Sequence, residues 1–289
     1  MNNPLSDKYS EEQNRTLVEK SLNGDRKAIE ALIHLHQPFI YNVAWKMVHD
    51  PNDALDLTQE TLLKVITKLS QFNFKSAFRT WLYRIVVNEF LQTKRRKGAQ
   101  RFSSFEDYGA KLDSIPNPDL NEEEYITFQE LSREMQIKCM SGMLMCLTRE
   151  QRLIYIIGDT FGANHHIGAE IFDLTPPNFR VKLHRARKEL YNFMNNKCGL
   201  VNQNNPCRCP KKTKALKEMG ALDENNLQFN ISYKNKIALY VAPRYEETAQ
   251  LFEEKYTELY REHPTKEDFS TETIVSEILK DDNLLKYFK

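Results

Sequence analysis

The sequence predicts an all-α protein: two small helical domains joined by a linker, then a mostly α C-terminal extension. Three observations predict it. Apolar residues recur at three- and four-residue spacing through most of the chain. Helix start signals, Thr148-x-x-Gln151 and Thr175-Pro176, stand directly ahead of such runs. Only one short stretch, Leu227 to Val241, reads as β-prone or irregular. The length of 289 residues suits about two domains.

The first domain covers residues 9–98, with Leu32, Ile33, Phe39, Ile40, Val43 and Ala44 as its early core. Asp53, Asp56 and Glu60 then fall three and four apart on one helix stripe, with Gln59 beside them. Leu57, Leu62, Leu63 and Val65 pack or support that helix. A paired-carboxylate catalytic site is a poor fit here. No His, Cys or Ser nucleophile accompanies the acids, and no metal-ligand spacing appears.

From Ala77 onward Phe78, Trp81, Leu82, Ile85 and Val86 mark a buried helix face. Arg79, Tyr83, Arg84 and Asn88 fall between them, giving a cationic, hydrogen-bonding face. Lys94, Arg95, Arg96 and Lys97 put cations in the last turn, where the helix dipole favours them, and Gly98 supplies a stop. From Lys75 through Arg101, eight cations oppose Glu89 alone. A charge run by itself reads first as a solvated helix end; its other reading is a surface for backbone phosphates, with salt-dependent affinity.

Residues 99–134 read as a linker, punctuated by Ser103-Ser104, Gly109, Pro116 and Pro118. Asp119 and Glu122 to Glu124 make its end acidic, as a solvated spacer or the start of the next helix. The second domain, 135–196, holds three helices. The first starts at Thr148, with Gln151 in the capping-box position; the second runs from Asn164 to Phe172; the third opens at Thr175-Pro176. On the third, Phe179, Leu183, Ala186 and Leu190 are apolar, while Asn178, Arg180, Lys182, His184, Arg185, Arg187 and Lys188 cover the rest. Two helices, a tight turn and a basic third helix form a helix-turn-helix whose last helix enters the DNA major groove.

Taken together, the Asp53–Lys97 segment and Arg180-Val-Lys-Leu-His-Arg-Ala-Arg187 resemble RNA polymerase sigma factors of the sigma-70 family, of the extracytoplasmic-function type. The turn departs from the family pattern: Asp173 stands where glycine is usual and Pro176-Pro177 replace small residues. Gly168 takes an otherwise aliphatic position, at a helix cost of about 1 kcal/mol relative to alanine. The resemblance implies that Asp53, Asp56, Gln59 and Glu60 bind core RNA polymerase. It implies a promoter −10 element held and melted by Phe74, Lys75, Arg79, Trp81, Arg84, Asn88, Lys94, Arg95 and Arg96, with the loop Phe72 to Lys75 and Trp81 stacking or holding a flipped base. The −35 element would be read by the third helix, with an anti-sigma factor or other regulator as a further partner. No enzyme activity and no required cofactor follow. The alternative is a helix-turn-helix regulator that acts without polymerase.

The extension, 197–289, leaves the family pattern. Cys198, Cys207 and Cys209 lie in a turn-rich, basic stretch and could hold zinc, with His184 or another group as fourth ligand; their spacing is not that of paired CxxC motifs. Structural reduced cysteines are the other reading. Helices are expected over Tyr245 to Arg261 and Ser270 to Leu285, in a tail where twelve acidic residues face six basic ones. That tail suits a satellite domain or a cover for a basic surface. The overall charge is +1, no apolar run is long enough to span a membrane, and Met1 to Glu12 is polar, so a cytoplasmic protein is expected.

Overall fold

The computed structural model describes residues 3–92 and 104–222, in which every regular element is helical. Lys94, Arg95, Arg96 and Lys97, the stretch read as β-prone and the acidic tail lie outside the described residues. The helices are α1 (Glu12–Leu22), α2 (Arg26–Val48), α3 (Pro51–Lys68), α4 (Phe78–Gln92), α5 (Phe105–Ser114), α6 (Glu122–Cys146), α7 (Arg149–Tyr155), α8 (His165–Phe172), α9 (Pro176–Lys197) and α10 (Cys209–Glu218). A 3₁₀ turn, Leu69–Gln71, follows α3, and a π-helical turn, Ile156–Thr160, follows α7. No described helix is long and apolar enough to cross a membrane.

The chain forms two compact units. The first contains α1 to α4 together with residues 156–183. Its helices are started by their own side chains. Asp25 accepts from the backbone N–H groups of Lys27 and Ala28 to begin α2, and Asp50 accepts from those of Asn52 and Asp53 to begin α3, with Pro51 at the first helical position. Ile29, Leu32, Ile33, Phe39, Ile40, Val43 and Ala44 of α2 are buried with Leu57, Leu62, Val65 and Ile66 of α3 and Leu82, Val86 and Phe90 of α4. The early core read from the sequence is therefore buried as expected. Lys64 of α3 pairs with the largely buried Glu89 of α4, which explains the lone acid in the cationic run.

Buried polar groups tie the N-terminal segment to this core. The Asn14 amide oxygen accepts from the Tyr9 hydroxyl (3.1 Å) and lies 2.9 Å from the His36 ring, whose pKa burial lowers to about 3. Asn3 and Asp7 reach forward to residues 156–183: the Asn3 amide donates to the Phe161 carbonyl (2.6 Å), and the Asn164 amide to the Asp7 carboxylate (2.5 Å).

The second unit contains α5 to α7 with residues 184–222. The span read as a linker is largely helical. Ser104 caps α5, and Asn121 with Glu124 forms a reciprocal capping box that starts α6. The prolines and serines there mark helix ends rather than a loose spacer. The acidic residues nearby are paired with the extension, Asp119 with Lys211 and Glu124 with Lys214, each at 2.7 Å. Phe128, Leu131 and Leu222 bury one another, with Leu216 of α10 packed against them. The start of the extension is thus part of this unit's core.

Lys46 of α2 is a costly residue in the first unit. It is 3% exposed, its ammonium finds no hydrogen-bond partner among the described residues, and it lies over the rings of Trp45 and Phe161 at 5.5 and 5.9 Å. Burial lowers its pKa to about 7. Between about pH 7 and the ordinary lysine range the unfolded chain holds this proton and the folded chain does not, so stability rises with pH there. Lys46→Met should remove that rise and stabilise the fold at pH 7 by about 1–3 kcal/mol. Denaturant titrations of both proteins at pH 7 and pH 9.5 test this; an equal pH response of the two would refute it.

Candidate nucleic-acid interface

On α3, alternation of buried Ala54, Leu57, Thr58, Thr61 and Leu62 with the acidic positions leaves Glu60 exposed and Asp53, Asp56 and Gln59 partly exposed. The stripe read from the sequence therefore lies on the outer side of the helix. Each of these four side chains also has interactions within the protein.

The loop ahead of α4 is built from aromatic contacts. Phe72 is buried, and its ring lies 4.8 Å from Phe74, 5.4 Å from Phe78 and 5.4 Å from Trp81. Phe74 adopts a left-handed backbone (φ 59°) that bulky residues rarely take, and it remains 42% exposed. Arg15 lies over its ring at 6.0 Å. A surface cavity of about 390 Å³ opens beside it, lined by Glu11, Glu12, Arg15, Phe72, Phe74, Ser76, Ala77 and Phe78. Of these, Glu11, Glu12 and Arg15 were not anticipated. They come from α1 and its lead-in, and no local pattern in the sequence ties them to a loop some sixty residues away.

The polar face of α4 differs from its sequence reading at two positions. Tyr83 is fully buried, beside the His36 ring at 6.3 Å. Arg79 is turned inward: its guanidinium donates to the carbonyls of Pro4 (3.2 Å) and Ser6 (2.6 Å) and pairs with Glu11 (3.3 Å). Its side chain is only 14% exposed, so in this state it is not displayed to a ligand. Lys75, Arg84 and Asn88 are exposed, and Trp81 is half-buried. Arg84 nevertheless has a partner, donating through two nitrogens to the Glu170 carbonyl (2.6 and 3.2 Å), while the Thr80 hydroxyl donates to the Glu170 carboxylate (3.2 Å). Helix α8 therefore packs on α4 within the first unit.

The helix-turn-helix elements form where expected. Thr148 and Gln151 make the reciprocal cap of α7, through Gln151 N–H to the Thr148 hydroxyl (3.3 Å) and Thr148 N–H to the Gln151 side chain (3.1 Å). Asn164 caps α8, accepting from the N–H groups of His166 and Ile167. Asp173 ends it with φ 56°, the left-handed conformation for which glycine is usual at such a turn; Asp is among the few other residues that tolerate it. Phe179, Leu183, Ala186 and Leu190 of α9 are buried. Asn178, Arg180, His184, Arg185 and Lys188 are exposed, and Lys182 and Arg187 partly so.

Gly168 is explained by the ring beneath it. A Cβ at this position would lie 2.3 Å from the Phe179 ring, so the α8–α9 contact is closed by a glycine that allows close approach. Gly168→Ala should be destabilising by about 1–3 kcal/mol through overpacking, exceeding the roughly 1 kcal/mol that alanine gains in helix propensity. Chemical denaturation reads the difference, and a variant more stable than the parent would contradict the packing argument.

Residues 32–100 match the family model for Sigma-70 region 2. The chain is 30% identical over 176 residues to the ECF RNA polymerase sigma factor SigE of Mycolicibacterium smegmatis, covering 59% of this chain and 64% of that relative. It is 39% identical over 79 residues to the RNA polymerase sigma-H factor of Pseudomonas aeruginosa, covering 27% of this chain and 41% of the relative. It is 27% identical over 165 residues to the RNA polymerase sigma factor YlaC of Bacillus subtilis, covering 57% of this chain and 91% of the relative. The match thus spans less than two thirds of the first two relatives. With an acidic helix stripe, an aromatic loop and a basic helix-turn-helix in the order of the resemblance, the chain carries a sigma-70 region 2 over residues 32–100 and is similar beyond it to extracytoplasmic-function RNA polymerase sigma factors.

Proposed function

We propose that this protein is a transcription initiation factor, not an enzyme, that lends promoter specificity to core RNA polymerase and helps open the duplex. The observation that carries this reading is the pairing, in one chain, of an exposed aromatic beside a cavity with a separate basic helix-turn-helix. A flipped base needs a ring to stack on and a recess to enter; Phe74 and the cavity beside it offer both. Duplex readout needs exposed cations and amides near the start of a helix; Asn178, Arg180 and Lys182 lie there, with Arg185, Arg187 and Lys188 further along for phosphates. Lys94, Arg95 and Arg96 extend the phosphate surface in this reading. Because Arg84 and Thr80 bond to Glu170, their use on DNA requires α8 to leave that face of α4.

The acidic stripe of α3 is the proposed docking face for core polymerase. Asp56→Arg with Glu60→Arg should abolish co-purification with core while leaving helical content unchanged, because like charges are then set against the partner surface. Run-off transcription with purified core enzyme on genomic fragments tests the whole reading. Promoter-selective binding to duplex DNA with no core association would instead favour a regulator that works without polymerase.

Arg180→Ala should cost about 1–3 kcal/mol on the preferred upstream element and relax selectivity at one base pair. Lys188→Ala should weaken binding uniformly and flatten the salt dependence. Binding to a randomised upstream element measures both, and unaltered selectivity in the Arg180 variant would remove its base-reading role.

A further inference from the structure

The cysteines are gathered by tertiary structure in a way their spacing does not suggest. Cys198 and Cys207 are paired across an isolated parallel β-bridge. Gly199 permits this approach, since a Cβ there would lie 2.1 Å from the Cys207 carbonyl oxygen. Cys209 opens α10, and α10 packs along α6, the helix that carries Cys139. Each of the six pairings among Cys139, Cys198, Cys207 and Cys209 is close enough for one thiolate to disfavour the other. His184, the fourth ligand considered from the sequence, is an exposed residue of α9, and the group that joins the three extension cysteines is Cys139.

We propose that Cys139, Cys198, Cys207 and Cys209 form a four-thiolate zinc site that fastens the start of the C-terminal extension to α6.

The surroundings of the sulfurs support this. The Gln136 side chain and the backbone N–H groups of Gly199, Leu200 and Val201 lie close enough to the extension cysteines to favour their thiolate forms, and so does the Tyr108 hydroxyl beside Cys139, whose carbonyl it donates to at 3.1 Å. A neutral thiol gains little from such donors, whereas a metal-bound thiolate is held and oriented by them. Arg208 and Lys212 add positive charge beside Cys207, offsetting the excess negative charge of four thiolates on one divalent ion. As the side chains stand, no three His, Cys, Asp or Glu among the described residues are set to hold an ion. The bridge and the helix packing bring the backbones together, and closing on one ion takes rotation of the thiols about their Cα–Cβ bonds. The fifth cysteine, Cys146, lies two turns along α6 from Cys139, interacts electrostatically with Cys139 but with none of the extension cysteines, and donates to the Gly142 carbonyl at 3.3 Å, so the proposed site excludes it.

This site does not depend on the proposed role in transcription, and its test reads metal rather than activity. The full-length chain, purified under reducing conditions, should carry about one zinc ion per molecule. Titration with Co²⁺ should give the absorption of a tetrahedral four-thiolate centre, unchanged in Cys146→Ser. Loss of outer-shell partners alone weakens metal binding by about 10–100-fold, so Cys139→Ser should weaken it by about 100-fold or more. Alkylation of the unmodified chain covers the case in which that variant fails to fold. Chelation should expose Cys139, Cys198, Cys207 and Cys209 together and leave Cys146 as it was. A chain that binds neither Zn²⁺ nor Co²⁺, a Cys139→Ser variant with parental affinity, or alkylation of Cys139 indifferent to chelator would each overturn the proposal.

Discussion

The second unit depends on one buried cation. Arg152, 6% exposed, donates to the carbonyl oxygens of Leu144 (2.8 Å), Met145 (2.8 Å) and Leu147 (3.1 Å). These are carbonyls of the last turn of α6 and its cap, where the helix runs out of partners of its own; that of Leu144 also accepts from the Leu147 N–H (3.2 Å). A guanidinium fits them because it presents several donors in one plane and because a helix C-terminus favours positive charge. Since Arg152 belongs to α7, the same contact sets the corner at which the helix-turn-helix begins. Helix α6 then serves as a beam: its last turn is tied to α7, and α10 packs along it. The Tyr108 hydroxyl from α5 reaches the Cys139 carbonyl at 3.1 Å.

In the first unit the polar groups of α4 are divided between structure and display. Tyr83 and Glu89 are consumed by packing and by the pair with Lys64, and Arg79 is consumed by the N-terminal segment. What remains outward is Lys75 and Phe74 in the loop, with Arg84, Asn88 and Gln92 on the helix. Arg84 is shared with α8, whose own packing on α9 is set by the glycine at 168. One short helix thus faces α4 with its Glu170 backbone and α9 with its smallest residue.

Periodicity and capping made much of this legible beforehand. The caps at Thr148 and Thr175 act as read, the apolar stripe of α9 is buried in full, and the acidic stripe of α3 lies outward. The misreadings have two causes. Tyr83 and Arg79 are amphipathic side chains at the edge of the apolar stripe, and their fate was decided by the N-terminal segment that packs there. The supposed linker was read from its serines and prolines, which are as common at helix ends as in spacers; Ser104 turned out to be a cap.

The sequence by itself determined the helical class, the order of acidic, aromatic and basic surfaces, and the sites of the turns, because each of these is written within a few neighbouring residues. Only the tertiary structure decided which side chains meet. The cavity beside Phe74 needs Glu11, Glu12 and Arg15; the polar face of α4 needs Glu170; and the packing of α10 on α6 brings Cys139 near the cysteines of the extension. These residues lie tens of residues apart, and no periodic pattern reports a distance that is closed by packing two helices together.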